Sequence, residues 1–396
     1  MNNKVVLAFS GGLDTSFCCI YLAQDRGLEV HSVIVNTGGF SAEELTEIEG
    51  RAYALGVKSH VAVDETESYY SGCIKYLIFG NVLKNATYPL SVSAERVSQA
   101  TAIAHYAKKI GANYVAHGST GAGNDQVRFD MIFNILIPEV EIITPIRDLK
   151  LSREAEIKYL NERGVEYSAE KAKYSINKGL WGTSVGGKET LTSNETLPES
   201  AWPTQVSETE SRKIELTFEK GELVALDGEQ LEPVKAIQKL QSIAQPYGIG
   251  RDMHVGDTII GIKGRVGFEA AAPIVIIKAH HTLEKHTLTK WQLSWKEQLS
   301  SFYGNWLHEG QFHDPIMRNI EAFLTDTQKM VSGKVFVELL PYRFQIIGIE
   351  SNHDLMSNQF GSYGEMNNAW SGEDVKGFSK IFGNQVMIWN KVNEKA

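Results

Sequence analysis

Cysteine is scarce: three in 396 residues, Cys18, Cys19 and Cys73, with no Cys-x-x-Cys spacing. Two of them are neighbours in a stretch that reads as helix, so neither a disulfide framework nor a zinc site is indicated. Positive charge is not in excess either. Lys and Arg number 39 against 48 Asp and Glu, a net charge of -9, which argues against the basic face that a large nucleic-acid footprint needs. No apolar run approaches membrane-spanning length. The first strand begins at Lys4 and leaves no room for a signal peptide, so a cytoplasmic location is expected. Asn85-Ala86-Thr87 and Asn194-Glu195-Thr196 fit the glycosylation pattern but, without a secretion signal, read as chance matches. Internal repeats and low-complexity segments are absent. What remains is an ordinary globular composition, 42% hydrophobic and 22% charged, in a chain long enough for two domains.

The organising stretch is Lys4 to Ser16. Val5 to Phe9 reads as a buried parallel strand. It stops at Ser10-Gly11-Gly12, and an apolar helical period begins at Phe17. Two glycines between a strand and a helix permit a sharp turn and leave no Cβ in a ligand's way. The helix start adds free N–H groups and a positive dipole end, and Ser10, Thr15 and Ser16 add hydroxyls. This is a phosphate cradle, yet it lacks both common nucleotide fingerprints. No Gly-Lys-Ser/Thr ending supplies a Walker lysine, and the three-glycine dinucleotide spacing is missing. The pattern Ser-Gly-Gly-x-Asp-Thr-Ser is similar to the pyrophosphate loop of N-type ATP pyrophosphatases, which cut ATP between its α and β phosphates.

Strands and helices alternate through the first 165 residues or so, predicting a doubly wound parallel sheet with ligands at the carboxyl ends of its strands. Glu29 to Val35, Val57 to Val63, Tyr114 to Ala116 and Glu141 to Thr144 read as further strands. Ser41 with Glu44 makes a capping box for a helix ending near Leu55, and Ala100 to Ile110 reads as a helix. From about Lys171 the composition shifts, and Tyr174 to Pro203 reads as a long loop or linker. Beyond it come a hairpin at Ile214 to Leu226, a helix at Pro233 to Ala244, and one long helix from His280 to Leu307. A second hairpin follows about Pro341-Tyr342, then an amphipathic helix from Val375 to Val392. The expected layout is a nucleotide-binding domain over 1–166, an α+β domain over 167–365, and a helical tail over 366–396 suited to oligomerisation.

A second glycine-rich segment, His117-Gly118-Ser119-Thr120-Gly121-Ala122-Gly123-Asn124-Asp125, follows another strand end, where such a loop binds better than it packs. Arg128 just beyond it can clamp a carboxylate or phosphate in bidentate fashion, or sit in a structural ion pair. With Ala8 to Ser16, Tyr88, Ser93 and the run from His117 to Phe129 in this order, the chain resembles the argininosuccinate synthase family over most of its length. The resemblance implies condensation of citrulline with aspartate at the expense of ATP, by way of a citrullyl-adenylate. It implies ATP on Ala8, Phe9, Ser10, Gly11, Gly12, Leu13, Asp14, Thr15, Ser16 and Gly118, with Val35 near the adenosine. Aspartate would lie on Thr120, Asn124 and Asp125. Citrulline would lie on Tyr88, Ser93, Asn124, Arg128, Ser175 and Ser184. It also implies a homotetramer, with no membrane or nucleic-acid partner. Asp14 is a candidate to orient the loop or a Mg²⁺ ion, or a simple cap; Asp125 is a candidate to hold the aspartate ammonium and take its proton.

Two positions depart from the family pattern. Where it carries a Glu and, twelve residues on, a Tyr that contact citrulline, this chain has Gly256 and Phe268. Either a neighbouring acid such as Asp257 takes over, or the emptied volume admits an N-acylated citrulline. A tRNA-modifying pyrophosphatase would share the first loop but needs accessible cysteines and a basic face. A non-catalytic nucleotide sensor would leave the second loop unexplained.

Overall fold

The computed structural model describes residues 3–167, 174–356, 363–365 and 369–394. Lys171, where the composition shifts, and residue 366, the expected start of the tail, lie outside them.

The first domain is a five-stranded parallel sheet of β1 (Lys4–Ala8), β2 (Glu29–Asn36), β3 (Ser59–Asp64), β4 (Tyr114–Ala116) and β5 (Glu141–Ile143), in the order β3-β2-β1-β4-β5. Alternation along β1 explains why both faces are covered. Val5 and Leu7 join one buried cluster with Phe17, Cys18 and Ile48, while Val6 joins another with Ile103 and Ala107; successive side chains of a strand point to opposite faces. The helices of this domain are α1 (Leu13–Ile20), α2 (Ala42–Ala54), α3 (Thr66–Tyr69), α4 (Lys75–Phe79), α5 (Ser91–Ile110), α6 (Asp125–Leu136), α7 (Pro145–Asp148) and α8 (Arg153–Glu162). The reversal of strand order beside β1 places the ends of β1 and β4 next to each other, the point where such sheets bind ligands. Both glycine loops leave the sheet there.

The second domain has two antiparallel sheets. β8 (Arg212–Glu219), β9 (Glu222–Leu226), β10 (Glu229–Gln230), β13 (Gly333–Leu340) and β14 (Arg343–Glu350) form one, in the order β10-β9-β8-β13-β14. β6 (Ser175–Gly179), β7 (Gly182–Gly186), β11 (Arg251–Asp257) and β12 (Lys263–Glu269) form the other, in the order β11-β12-β7-β6. The helices are α9 (Pro233–Ala244), α10 (Ala271–Thr287), α11 (Lys290–His308) and α12 (Pro315–Thr327), followed by α13 (Gly372–Phe382) and α14 (Asn384–Asn393). The core cluster on the Val6 face runs on without a break into Leu216, Ile276 and Val335, so the two domains share apolar packing.

Three expectations are corrected. The long helix from His280 is two helices, α10 and α11, broken at Leu288-Thr289. Leu288 is extended at ψ 148°, and Thr289 with Gln292 makes a reciprocal capping box that restarts the helix. The Tyr174–Pro203 stretch is no linker, since it opens with the β6–β7 hairpin, turned at Leu180-Trp181. The C-terminal helix is interrupted at Gly383, between α13 and α14. α1 also begins four residues before the apolar period at Phe17.

Candidate active site

The first loop is shaped by two unlike glycines. Gly11 adopts φ +72°, a left-handed conformation, and its carbonyl accepts a 2.5 Å hydrogen bond from Arg51 Nη1. Gly12 is ordinary extended backbone (φ -80°, ψ 179°), and a Cβ there would meet only Ser10 Oγ, at 3.5 Å. Gly12 also stands at the N-cap of α1 with no side chain to cap it, so the first N–H groups of the helix remain available. Ser10 Oγ and Thr15 Oγ1 lie 3.3 Å apart, and Thr15 Oγ1 donates back to the Gly12 carbonyl. Ser16 is 1% exposed and its Oγ has no hydrogen-bond partner among the described residues. A buried unpartnered hydroxyl is costly, and a phosphate oxygen in the cradle would satisfy it.

The second loop hangs on His117. Its Nδ1 accepts from the Ser119 N–H, so Nε2 carries the proton and donates to Asp130 at 2.8 Å. Burial opposes ionisation of Asp130, but hydrogen bonds from His117 and Arg147 outweigh it and hold its carboxyl below the usual range. Thr120 is exposed on this loop. Asn124 bridges the domains: its Oδ1 accepts from Ile259 N–H, in the turn joining β11 and β12, at 2.8 Å.

Asp125 opens α6 and lies between two guanidiniums, with Arg96 Nε at 2.9 Å and Arg128 Nη1 at 3.0 Å. Burial raises its pKa, yet the two cations dominate and depress it. A carboxylate so held can position an ammonium but is a poor acceptor of its proton. Arg128 is 3% exposed. Its Nε and Nη2 both donate to the His308 carbonyl, and Nη2 also reaches Ser93 Oγ at 3.0 Å. Most of its fork is therefore spent inside the protein, which places Arg128 as the post that fixes Ser93, Asp125 and the end of α11. Ser93 Oγ lies 3.0 Å from His308 Nδ1.

Tyr88 is buried, its hydroxyl accepting from Val92 N–H and lying 3.2 Å from Ser91 Oγ. The segment around it is strained: Asn81, Asn85, Ala86 and Leu90 all have positive φ, a condition that clusters at functional sites. Its ring packs on Phe268 and stacks on His254, with centroids 5.4 and 5.0 Å away. Ser184, in register with Phe268 and with Asn177, accepts a long 3.4 Å contact from Asn177 Nδ2, whose partner oxygen takes Arg96 Nη2 at 2.6 Å. Ser175 is exposed on β6, two residues before Asn177. Val35 is buried near the carboxyl end of β2. Arg96, His254, His308 and Asn177 escaped the reading of the sequence because none stands in a glycine-rich motif. Tertiary packing alone brings them in.

Gly256 does not leave an empty volume. It shares a face of β11 with His254, and a Cβ on it would lie 2.6 Å from His254 Nε2. The imidazole already occupies that space. Asp257 is exposed and paired with Lys263 at 2.6 Å, so it offers no replacement carboxylate.

A parallel sheet with both glycine loops at its switch point defines the class, a nucleotide-binding enzyme of α/β type. Residues 4–166 match the family model described as the arginosuccinate synthase N-terminal HUP domain, and residues 174–389 match the arginosuccinate synthase C-terminal domain. The chain is 39% identical to the argininosuccinate synthase of Xanthomonas campestris pv. campestris over 99% of this chain and 100% of that one. It is 38% identical to that of Methanocaldococcus jannaschii, over 98% of each. Its identity to that of Sulfolobus acidocaldarius is 34%, over 98% of this chain and 99% of that one. The chain belongs to the argininosuccinate synthase family, a family of ligases that form a C–N bond.

Proposed function

We propose that this enzyme condenses citrulline with aspartate, using ATP, to give argininosuccinate, AMP and pyrophosphate. The observation that carries the reading is the convergence of the cradle and the second loop. A Cβ on Gly118 would come within 3.2 Å of Asp14 Cβ, so the two loops enclose one site that continues through Asp125 and Arg128 to Tyr88.

The ureido oxygen of citrulline is a weak neutral nucleophile and, unmodified, a poor leaving group. Attack on the α-phosphorus of ATP forms the O–P bond and expels pyrophosphate onto the free N–H groups of α1 and the hydroxyls of Ser10, Thr15 and Ser16. The aspartate amine then attacks the ureido carbon, and AMP leaves with the former ureido oxygen. The protein contributes position and charge stabilisation. Asn124 Nδ2 and the Thr120 side chain, which have no hydrogen bond to the described residues, would hold aspartate carboxylates, and Asp125, between its two guanidiniums, would hold the ammonium. Because Asp125 is clamped by Arg96 and Arg128, the proton leaves the amine to another acceptor.

Among the described residues no group of three or more His, Cys, Asp or Glu would hold a metal alone. Mg²⁺ would instead be held by Asp14 with phosphate oxygens. Burial and the Asp14 carboxylate beside it push Glu156 up to about 8, a crowding of acids that suits a cation. Bound there, the ion would neutralise charge on the departing pyrophosphate. A homotetramer is supported by α13 and α14, whose Phe382, Ile381 and Trp389 are 76, 78 and 65% exposed. No helix among the described residues is long and apolar enough to cross a membrane, and all three cysteines are free and buried, which supports a reducing, cytoplasmic setting. Pyrophosphate release measured with ATP alone, with citrulline, and with citrulline plus aspartate tests the assignment. Turnover that needs both amino acids supports it, and turnover indifferent to either refutes it.

A further inference from the structure

We infer that His254 is the specificity-determining residue for the amino-acid end of citrulline, its ring nitrogen accepting a hydrogen bond from the substrate's α-ammonium. The inference rests on the reading above, which sets the direction of the substrate. The ureido end must reach the cradle at Gly118 and Asp14. Asp125, Arg128, Ser93 and His308 follow in a hydrogen-bonded series, and Tyr88 and His254 stand beyond them.

At that far end the carboxylates are committed. Asp125 stands nearer the cradle and is taken by the aspartate ammonium, Asp257 is at the surface with Lys263, and Glu309 is exposed and acts on Lys84. An α-carboxylate finds Lys84 there; none of these three carboxylates is left for an α-ammonium. What it finds is His254, which is 6% exposed and has neither ring nitrogen hydrogen-bonded to a described residue. Stacking on Tyr88 fixes the plane of the ring, and the missing side chain at Gly256 leaves room for Nε2. Gly256 is therefore glycine because of the imidazole, not because the pocket is open.

The groups facing His254 decide its protonation. Burial lowers its pKa, Lys84 on the loop before α5 lowers it further, and Asp252 on its own strand acts weakly the other way. His308, at the end of α11, is itself held down to about 3 by burial, Arg128 and Lys84 and adds no positive charge. The Asp257 backbone acts on it the other way, and its Nε2 has no hydrogen-bond partner among the described residues. His254 thus keeps its lone pair at neutral pH. Acidification removes it and sets an imidazolium against the substrate's ammonium.

The test uses the full-length enzyme and steady-state kinetics for each substrate in turn. His254→Ala should raise KM for citrulline at least tenfold while KM for ATP and aspartate stay within twofold. His254→Gln, which keeps an acceptor, should recover most of that loss. The parent's KM for citrulline should climb on acidification, at a pH below the ordinary histidine range because burial and Lys84 lower the His254 pKa, and the glutamine variant should show a flat profile. Gly256→Ala adds one methyl and no charge, yet should reproduce the His254→Ala defect by displacing the ring. N-acetylcitrulline, which has no ammonium, should be a poor substrate for the parent. An unchanged citrulline KM in His254→Ala, an equal loss for all three substrates, or acetylcitrulline used as well as citrulline would each overturn the inference. Parent turnover dependent on citrulline and aspartate keeps the underlying reading separate from this result.

Discussion

Gly118 lies against Asp14, so closely that a Cβ on the glycine would stand 3.2 Å from the aspartate's Cβ and 3.3 Å from its carbonyl carbon. Residues more than a hundred positions apart are thereby packed into one binding loop. Gly118→Val should push the second loop off the start of α1. The expected result is at least a tenfold rise in KM for ATP with the unfolding temperature within about 1 °C of the parent, a shift worth roughly 1 kcal/mol in a chain of this size.

Gly11 and Gly12 should respond differently to substitution. Gly11→Ala forces a side chain into the left-handed region at a cost of about 1–2 kcal/mol, so thermal unfolding should shift downward. Gly12→Val meets open space and ordinary φ, so stability should hold while ATP binding collapses because the new side chain stands where phosphate approaches. Calorimetry paired with ATP titration separates the two, and equal stability losses would refute the assignment of roles.

Arg128→Lys should do more than weaken a substrate contact. The guanidinium donates to the His308 carbonyl, Ser93 and Asp125, and an ammonium cannot reproduce that fork. A loss of about 2–3 kcal/mol in folding stability is expected, together with a raised citrulline KM. Unchanged denaturation midpoints would show that the internal contacts carry little.

Glu156 gives a pH signature. Its buried carboxyl beside Asp14 is raised from the ordinary range to about 8, so the folded state binds a proton that the unfolded state releases near 4.5. Stability is therefore full below the unfolded value and declines as pH rises through about 8. Glu156→Gln should unfold at higher temperature than the parent at pH 9 and at the same temperature at pH 4. A parent whose stability is flat across that range would contradict the pairing.

Removal of residues 369–396 should lower the mass found by light scattering, since Phe378, Phe382 and Trp389 are exposed in the single chain and such surface calls for a partner. An unchanged mass would exclude the tail from the assembly.

The first domain was legible because its signals are local. Apolar runs, the Ser41–Glu44 capping box and glycines at strand ends each report the backbone directly. The second domain was harder to read. The break at Leu288 rests on a capping box inside a continuous helical pattern, and the β6–β7 hairpin hides in a polar glycine-rich run because its partner, β12, lies eighty residues away. The site divides in the same way. Motif residues such as Asn124 and Asp125 announce themselves, whereas His254 and Arg96 acquire meaning only from what folds against them. A substitution to glycine reads as lost volume until the neighbouring imidazole is seen to fill it.

The most direct measurement follows the ureido oxygen. Citrulline labelled with ¹⁸O at that atom should deliver the label into the phosphate of AMP, one atom per turnover, because adenylation forms the O–P bond that survives when aspartate displaces AMP. Label found in AMP at full occupancy is the predicted result. Unlabelled AMP and labelled water would mean that hydrolysis, not a citrullyl-adenylate, accounts for the cleavage of ATP.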